Sequence, residues 1–156
     1  MSSHQLYHTF GLDTSRRGSV QYVEASEPSL VYLAGNSLVF IGLGSKKRRY
    51  LFSIDDCGMG SFVVHPSHKF VAVGETGFYP NIYVYTYPDL SLAKVLQNGA
   101  SKSFTCMCFS QSGQKLATVS SSPDFMLTIW DWVGERMLLH SKVLHVYLYI
   151  IGIWLT

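Results

Sequence analysis

Charged side chains are scarce in this sequence. Asp, Glu, Lys and Arg together make up 14% of the 156 residues, against about 25% in an average soluble chain. The formal net charge of +2 is too weak to attract nucleic acid or an anionic membrane through bulk charge. Hydrophobic residues reach 47% and aromatic residues 14%, so the chain can build a core, and intrinsic disorder is excluded as its main state.

Cysteines are also few, and long hydrophobic runs are missing. The three cysteines, Cys57, Cys106 and Cys108, are an odd number, which gives no disulfide framework and fits a reducing compartment. The N-terminus has no basic stretch followed by an apolar one, so no signal peptide is predicted. The longest apolar run without a formal charge, residues 143–156, has 14 residues, fewer than the roughly 20 that a spanning helix needs. Neither a secreted protein nor a membrane-bound one is predicted.

The sequence does contain a repeat with a spacing of 45 positions. Residues 64–74 and 109–119 share an apolar residue, a polar turn and then a strand that contains Ala. The same spacing places residues 81–85 on 126–130, and residues 36–40 lie another 45 positions upstream. A period of about 45 residues with short strands is typical of four-stranded propeller blades. No stretch shows sustained helical periodicity over the length of a helix.

These repeats predict an all-β chain made of propeller blades. Strands are predicted near residues 60–65, 69–74, 81–87 and 91–96 in one repeat, and near 104–109, 114–120, 126–132 and 135–140 in the next. The predicted organisation is a lead-in at 1–18, a partial blade at 19–56, complete blades at 57–99 and 100–142, and an atypical apolar tail at 143–156. A propeller closes with roughly 4–8 blades. Two complete blades and a partial one therefore predict an open segment, and we expect the chain to be a fragment or a truncated product.

The last repeat carries the most specific motif. Residues 109–118 and 124–131 resemble the first turn and the second and third strands of a WD40 repeat, ending in the pair Trp130 and Asp131. Asp124 stands six positions before Trp130, as the turn Asp of such repeats does. The resemblance implies that the Asp124 carboxylate accepts hydrogen bonds at a tight turn and that Trp130 wedges one blade against the next.

Two departures weaken the motif elsewhere. Tyr85 and Thr86 replace the Trp-Asp pair in the preceding repeat, and Gly99 and Ala100 stand where good WD repeats have Gly-His. The resemblance therefore implies an incomplete network of His, Ser or Thr, Asp and Trp, and blades that depend more on packing.

The chain as a whole resembles a narrower family. Residues 33–36, 71–75 and 121–132 are similar to the large cilia- and flagella-associated WD-repeat proteins, and the likeness covers about residues 6–142. It implies a non-catalytic scaffold of the motile cilium or flagellum axoneme, in the cytoplasm and cytoskeleton. Such a scaffold supports the attachment or regulation of inner dynein arms, and so ciliary and sperm motility. The implied partners are other axonemal proteins, dynein-arm or microtubule-associated, with no cofactor. A generic cytosolic WD-repeat adaptor for protein binding is the alternative.

One dense run of charge stands out. Lys46, Lys47, Arg48 and Arg49 fall between two strands of the first repeat. They indicate either a solvated hairpin tip or a contact for an acidic partner such as a tubulin surface. No aromatic residues are interleaved with the run, so nucleic acid is not predicted as a partner.

Ser19 is a candidate phosphorylation site. It follows Arg16 and Arg17, and a phosphate there would add a charge of roughly −1.5 to −2 near two arginines. The same residues also fit a plain turn before a strand.

No metal site and no catalytic site is predicted. Zinc needs four converging N or S ligands, whereas His65 and His68 fall in a turn and Cys106 and Cys108 on one strand face. The two cysteines are predicted to be small hydrophobes within a blade core. No Gly-x-Ser-x-Gly elbow accompanies the Ser, His and Asp residues.

Overall fold

The computed structural model describes residues 11–12, 18–54 and 56–143, and these contain twelve strands and no helix. The strands are β1 (Val20–Val23), β2 (Ser29–Ala34), β3 (Ser37–Gly42), β4 (Arg48–Phe52), β5 (Met59–Val64), β6 (Phe70–Glu75), β7 (Ile82–Thr86), β8 (Leu92–Leu96), β9 (Phe104–Phe109), β10 (Leu116–Ser120), β11 (Met126–Asp131) and β12 (Arg136–Lys142). They form three antiparallel sheets of four consecutive strands each, β1–β4, β5–β8 and β9–β12. The prediction of an all-β, open WD40-like propeller segment is confirmed. Most of the tail predicted at 143–156 and of the lead-in predicted at 1–18 lies outside the described residues.

The first blade has more strands than the sequence suggested. Its four strands pair in full, from Val20 opposite Tyr32 at the inner edge to Ser37 opposite Phe52 at the outer one. The connection between β2 and β3 at Gly35 is shorter than the connection between β6 and β7 of the second blade, because it has fewer loop residues; no strand is missing. Gly35 adopts a φ of 59°, which glycine tolerates without strain, so it closes a tight hairpin between β2 and β3.

The second and third blades share one pairing register. Val71 pairs with Tyr85 in the second blade, and Leu116 pairs with Trp130, 45 positions later, in the third. Each blade also has a register shift immediately before the residue equivalent to Trp130. Such bulges bend a strand and leave an extra residue on one side. The repeat found in the sequence is therefore reproduced in the pairing of these two blades.

The first blade departs from that spacing by one residue. The 45-position spacing matches Phe40 with Tyr85, but Tyr85 faces the first blade whereas Phe40 faces the second blade. Tyr85 pairs with Leu92, and the corresponding pair in the first blade is Ile41 with Arg48. The match of residues 36–40 is therefore wrong by one position, because a shift of one residue moves a side chain to the opposite face of a strand.

The core consists of two apolar layers, each shared by neighbouring blades. The layer between the first and second blades contains, among others, Val31, Phe40, Val73, Tyr85 and Tyr87. The layer between the second and third blades contains, among others, Val84, Leu96, Phe104, Trp130 and Trp132. Because each layer takes side chains from two sheets, the blades are held together chiefly by burial of apolar area.

The two ends of the sheets carry different connections. One end, which we call the lower end, has the turns between the first and second strands and between the third and fourth strands of each blade. The opposite end, the upper end, has the turns between the second and third strands and the connections from blade to blade. The basic run lies at the lower end and Asp124 at the upper end.

Candidate functional site

Trp130 lies in the layer between the second and third blades. Its side chain is 1% exposed, and its indole N–H donates to the hydroxyl of Thr118 at 3.0 Å. The ring packs so closely on the chain that enters the third blade that a methyl group on Gly99 would lie 2.7 Å from Trp130 Cζ2. Trp130 thus occupies the position of an interblade wedge and satisfies its only polar group locally.

Asp124 lies at the turn between β10 and β11 and is partly exposed. Its Oδ2 accepts a hydrogen bond from the backbone N–H of Ser101 at 2.7 Å. Hydrogen bonding to Ser101, through its side chain most and through its backbone N–H less, keeps the pKa of Asp124 below its ordinary value. Burial has the opposite, weaker effect. Asp124 therefore ties its turn to the connection that joins the second and third blades. The bond between Trp130 and Thr118 is separate from this contact.

Asp131 has a local role at the lower end. One carboxylate oxygen accepts from the backbone N–H of Gly134 at 3.2 Å, and the other pairs with Arg136 Nη2 at 2.7 Å. The Arg136 side chain is the main cause that lowers the pKa of Asp131. The carboxylate closes the turn between β11 and β12, and its surface position leaves the ion pair screened by water.

A second pair of interblade aromatic residues was missed by the sequence analysis. Tyr87 stacks on Phe40 of the first blade with ring centroids 5.5 Å apart, and its hydroxyl donates to Ser29 Oγ at 3.1 Å. Trp132, 45 positions later, packs against Phe70 of the second blade at 5.1 Å. The recurrence of an aromatic residue two positions after Tyr85 and after Trp130 was the available signal.

His65 joins the second and third blades at the lower end. Its Nδ1 accepts a hydrogen bond from the backbone N–H of Ser67 at 3.0 Å, so its Nε2 carries the proton and donates to the carbonyl of Gly113 at 2.9 Å. The indole N–H of Trp132 donates to the same carbonyl at 2.7 Å. These bonds explain a buried histidine without a metal. In the part of the chain that the structure describes, no three His, Cys, Asp or Glu side chains are grouped to hold a metal ion.

The basic run is divided between a turn and a strand. Lys46 and Lys47 lie in the turn between β3 and β4, whereas Arg48 and Arg49 are the first residues of β4, and all four are exposed. The hairpin-tip interpretation therefore describes the two lysines only.

Arg49 is an interblade contact. Its Nη1 donates to the backbone carbonyl of Pro88 in the second blade, and its guanidinium lies 5.8 Å from the ring centroid of Phe40 and 5.2 Å from that of Tyr87. A guanidinium over aromatic faces gains cation–π attraction as well as the hydrogen bond. Arg49 thus fixes the first blade against the second.

A cleft lies beside this contact at the lower end. It has a volume of about 400 Å³ and is lined by residues of both blades: Ala25, Ser26, Glu27, Ser29, Phe40, Gly42, Lys47, Arg48, Arg49, Tyr87 and Pro88. Glu27 binds the turn of the basic run, because its Oε1 accepts from the Ser45 backbone N–H at 2.5 Å and its Oε2 from the Ser45 hydroxyl at 2.9 Å. Both bonds lower the pKa of Glu27, and the bond from the Ser45 backbone has the larger effect. The hairpin is held in place beside the cleft.

The cysteines do not lie where the sequence analysis placed them. Cys106 and Cys108 are partly buried on β9 and belong to neither apolar layer between the blades. They lie on the opposite face of β9 from Met107, which packs toward the second blade. Strand alternation showed that the two cysteines share a face, but not which face meets a neighbour. Burial, and to a lesser extent Cys106, raise the pKa of Cys108 to about 12.

Ser19 lies immediately before β1 and is partly buried, whereas Arg16 and Arg17 fall outside the described residues. Phosphorylation of Ser19 therefore stays a prediction. None of the described residues forms a helix of the length and hydrophobicity required to span a bilayer.

Comparison with known proteins gives consistent matches to one group. The chain is 36% identical over 137 residues to cilia- and flagella-associated protein 44 of Mus musculus, covering 88% of this chain and 7% of that protein. It is 37% identical over 145 residues to protein 44 of Chlamydomonas reinhardtii, covering 88% and 8%. Cilia- and flagella-associated protein 43 of Mus musculus is 32% identical over 113 residues, covering 72% and 7%. None of these relatives bears the name of an enzyme.

The coverage of these matches is asymmetric. The chain spans less than a tenth of the length of these relatives, 7% or 8% of each. No protein-family profile matches it. The resemblance inferred from the residues is confirmed by matches that extend over most of the chain, and through this segment the chain belongs to the family of cilia- and flagella-associated proteins that includes proteins 43 and 44.

Proposed function

We propose that the chain is a non-catalytic blade segment of a scaffold protein in the axoneme of motile cilia and flagella. There it supports the attachment or regulation of inner dynein arms, and so ciliary and sperm motility. The observation that carries the proposal is the match of 36% and 37% identity over 88% of the chain to two proteins named for their association with cilia and flagella. Cilium and flagellum are accordingly the compartment in which the segment acts.

The contacts of the chemistry-bearing side chains support a structural role. His65 is bound to Gly113, Asp124 to Ser101 and Asp131 to Arg136. Each of these groups joins two blades or closes a turn, so its substitution is expected to loosen the fold and not to remove a chemical step.

The proposal is tested by rescue in a flagellated cell that lacks the protein containing this segment. The intact protein should restore beating and the normal amount of inner-arm dynein in isolated axonemes, measured by quantitative mass spectrometry. A version with Trp130→Ala, which weakens the second interblade layer, should restore both poorly, and a version with the exposed Val133→Ala should behave as the intact protein. Full rescue of dynein content by a protein that lacks the segment would overturn the proposal and favour a generic adaptor.

Lys46, Lys47, Arg48 and Arg49 form the proposed partner contact of the segment. Their exposure at the lower end supports attraction to an acidic surface such as that of a microtubule. Replacing Lys46 and Lys47 by Gln should weaken co-sedimentation with microtubules and flatten its salt dependence, since exposed charges are screened beyond about 10 Å at 0.1 M salt. Lys102→Gln, which removes one charge at the upper end, should leave co-sedimentation unchanged. Equal binding by both variants would refute the contact.

A further inference from the structure

The cleft between the first and second blades combines features of an anion-binding site. Its lining contains three cationic side chains, Lys47, Arg48 and Arg49, and one carboxylate, Glu27. Both oxygens of Glu27 already accept hydrogen bonds from Ser45. The cleft therefore has an excess of positive charge.

The floor of the cleft is built from aromatic side chains. Phe40 and Tyr87 are stacked at 5.5 Å and are both almost fully buried. The guanidinium of Arg49 lies over these rings and donates one hydrogen bond to Pro88. Because a guanidinium has five N–H donors in a fixed plane, that bond orients the group and leaves donors for a ligand.

The geometry points to a site for a carboxylate side chain of an acidic peptide, and we propose that this cleft binds a Glu- or Asp-rich segment of a partner protein. A volume of about 400 Å³ lies within the range of roughly 300–1,000 Å³ typical of ligand sites and holds a few residues. An extended peptide can insert one carboxylate toward Arg49 while its neighbours meet Lys47 and Arg48 at the rim. Arginine binds carboxylates through paired N–H donors, which favours this ligand over a neutral one.

This inference rests on the proposed partner contact of the basic run, and it specifies which of the four cations bind the partner most strongly. The general proposal needs only surface charge, so any of the four cations should contribute similarly. The cleft requires that Lys47 and Arg48, which line it, contribute more than Lys46, which does not. It also requires that the interblade floor be intact.

The test is binding of a fluorescent hexaglutamate peptide to the full 156-residue chain, followed by anisotropy at low salt. Lys47→Gln and Arg48→Gln should each weaken binding about five- to tenfold, as expected for the loss of a charge-assisted contact. Lys46→Gln and Lys102→Gln, which remove the same charge elsewhere, should each change it less than twofold. Near-ultraviolet circular dichroism of every variant checks that the blades stay packed.

Different outcomes separate the two proposals. Equal weakening by Lys46→Gln and Lys47→Gln would refute the cleft but leave a diffuse contact standing. Selective loss at Lys47 and Arg48 without any microtubule binding by the intact chain would support the cleft and refute the filament partner. Inorganic phosphate could also displace the peptide more strongly than a chloride salt of the same ionic strength does. That result would show a phosphate site and overturn the peptide assignment.

Discussion

Gly99 and Trp130 provide the sharpest test of the interblade wedge. A methyl group on Gly99 would lie 2.7 Å from Trp130 Cζ2, closer than packed carbon atoms approach, and 3.1 Å from Phe104, a tight contact that a small shift can relieve. The backbone of Gly99 lies outside the left-handed region, so alanine is acceptable there apart from the collision. Overpacking of this kind typically costs about 1–3 kcal/mol. We therefore expect Gly99→Ala to lower the free energy of unfolding by about that amount.

The Trp130→Ala variant should be destabilised more strongly. Truncating a packed tryptophan costs about 3–5 kcal/mol, and it also leaves the buried hydroxyl of Thr118 without the indole N–H that it accepts. In the double variant the collision with the indole is removed, and only the tight contact with Phe104 stays. The two changes should then be coupled, with a combined cost at least about 1 kcal/mol smaller than the sum of the single costs.

The assay is urea unfolding of the intact chain, the two single variants, the double variant and a control, Val133→Ala, followed by far-ultraviolet circular dichroism under identical conditions. Val133→Ala, a truncation of an exposed side chain, should change the free energy of unfolding by less than about 0.5 kcal/mol. Strict additivity of Gly99→Ala and Trp130→Ala would refute the contact. A cost of less than about 1 kcal/mol for Trp130→Ala would refute the burial of the wedge.

Three further predictions concern other parts of the segment. The pKa of Asp124 is lowered in the folded chain, so its ionised form stabilises the fold at pH values above the ordinary pKa of about 3.9. This stabilisation is lost as the pH falls through the pKa of the folded state. Asp124→Asn should therefore make the free energy of unfolding depend less on pH in the acid range. Gly113→Ala should be more destabilising than Gly35→Ala in thermal unfolding: both have positive φ, but only Gly113 abuts a histidine of the neighbouring blade. Alkylation at pH 8, followed by mass spectrometry, should modify exposed Cys57 well before Cys108, whose pKa is about 12. Equal labelling of the two cysteines would contradict the burial of Cys108.

The strands of the second and third blades could be predicted closely from the sequence. The strand predicted near 104–109 is β9, Phe104–Phe109, and the strand predicted near 91–96 is β8, Leu92–Leu96. Alternating apolar residues bounded by turn-forming residues contain enough local information for this, because a strand's period of two is visible within five or six residues.

The one-residue shift in the first blade could not be predicted. Phe40 is aromatic and buried, as Tyr85 is, so the sequence gives no sign that the two face opposite ways. Only the pairing of Ile41 with Arg48 shows it. Spacing measured along the chain does not reveal a register that the neighbouring strand sets.

Contacts between blades were the least predictable part of the candidate site. In the sequence Arg49 is one member of a uniform basic run, yet its partners Pro88 and Tyr87 are almost 40 positions away. The face of Cys106 and Cys108 likewise depends on which side of the third blade meets the second. These are properties of packing between sheets, and no pattern within a single strand encodes them.

The most direct test of the proposed function is the location of the protein that contains this segment. A tagged version should be expressed at its natural level in a cell with motile flagella, and the flagella should then be demembranated with detergent. If the segment is part of an axonemal scaffold, the tagged protein should stay with the doublet microtubules along the axoneme. Release into the soluble fraction, or an even distribution through the cytoplasm, would contradict the axonemal scaffold and support a cytosolic adaptor.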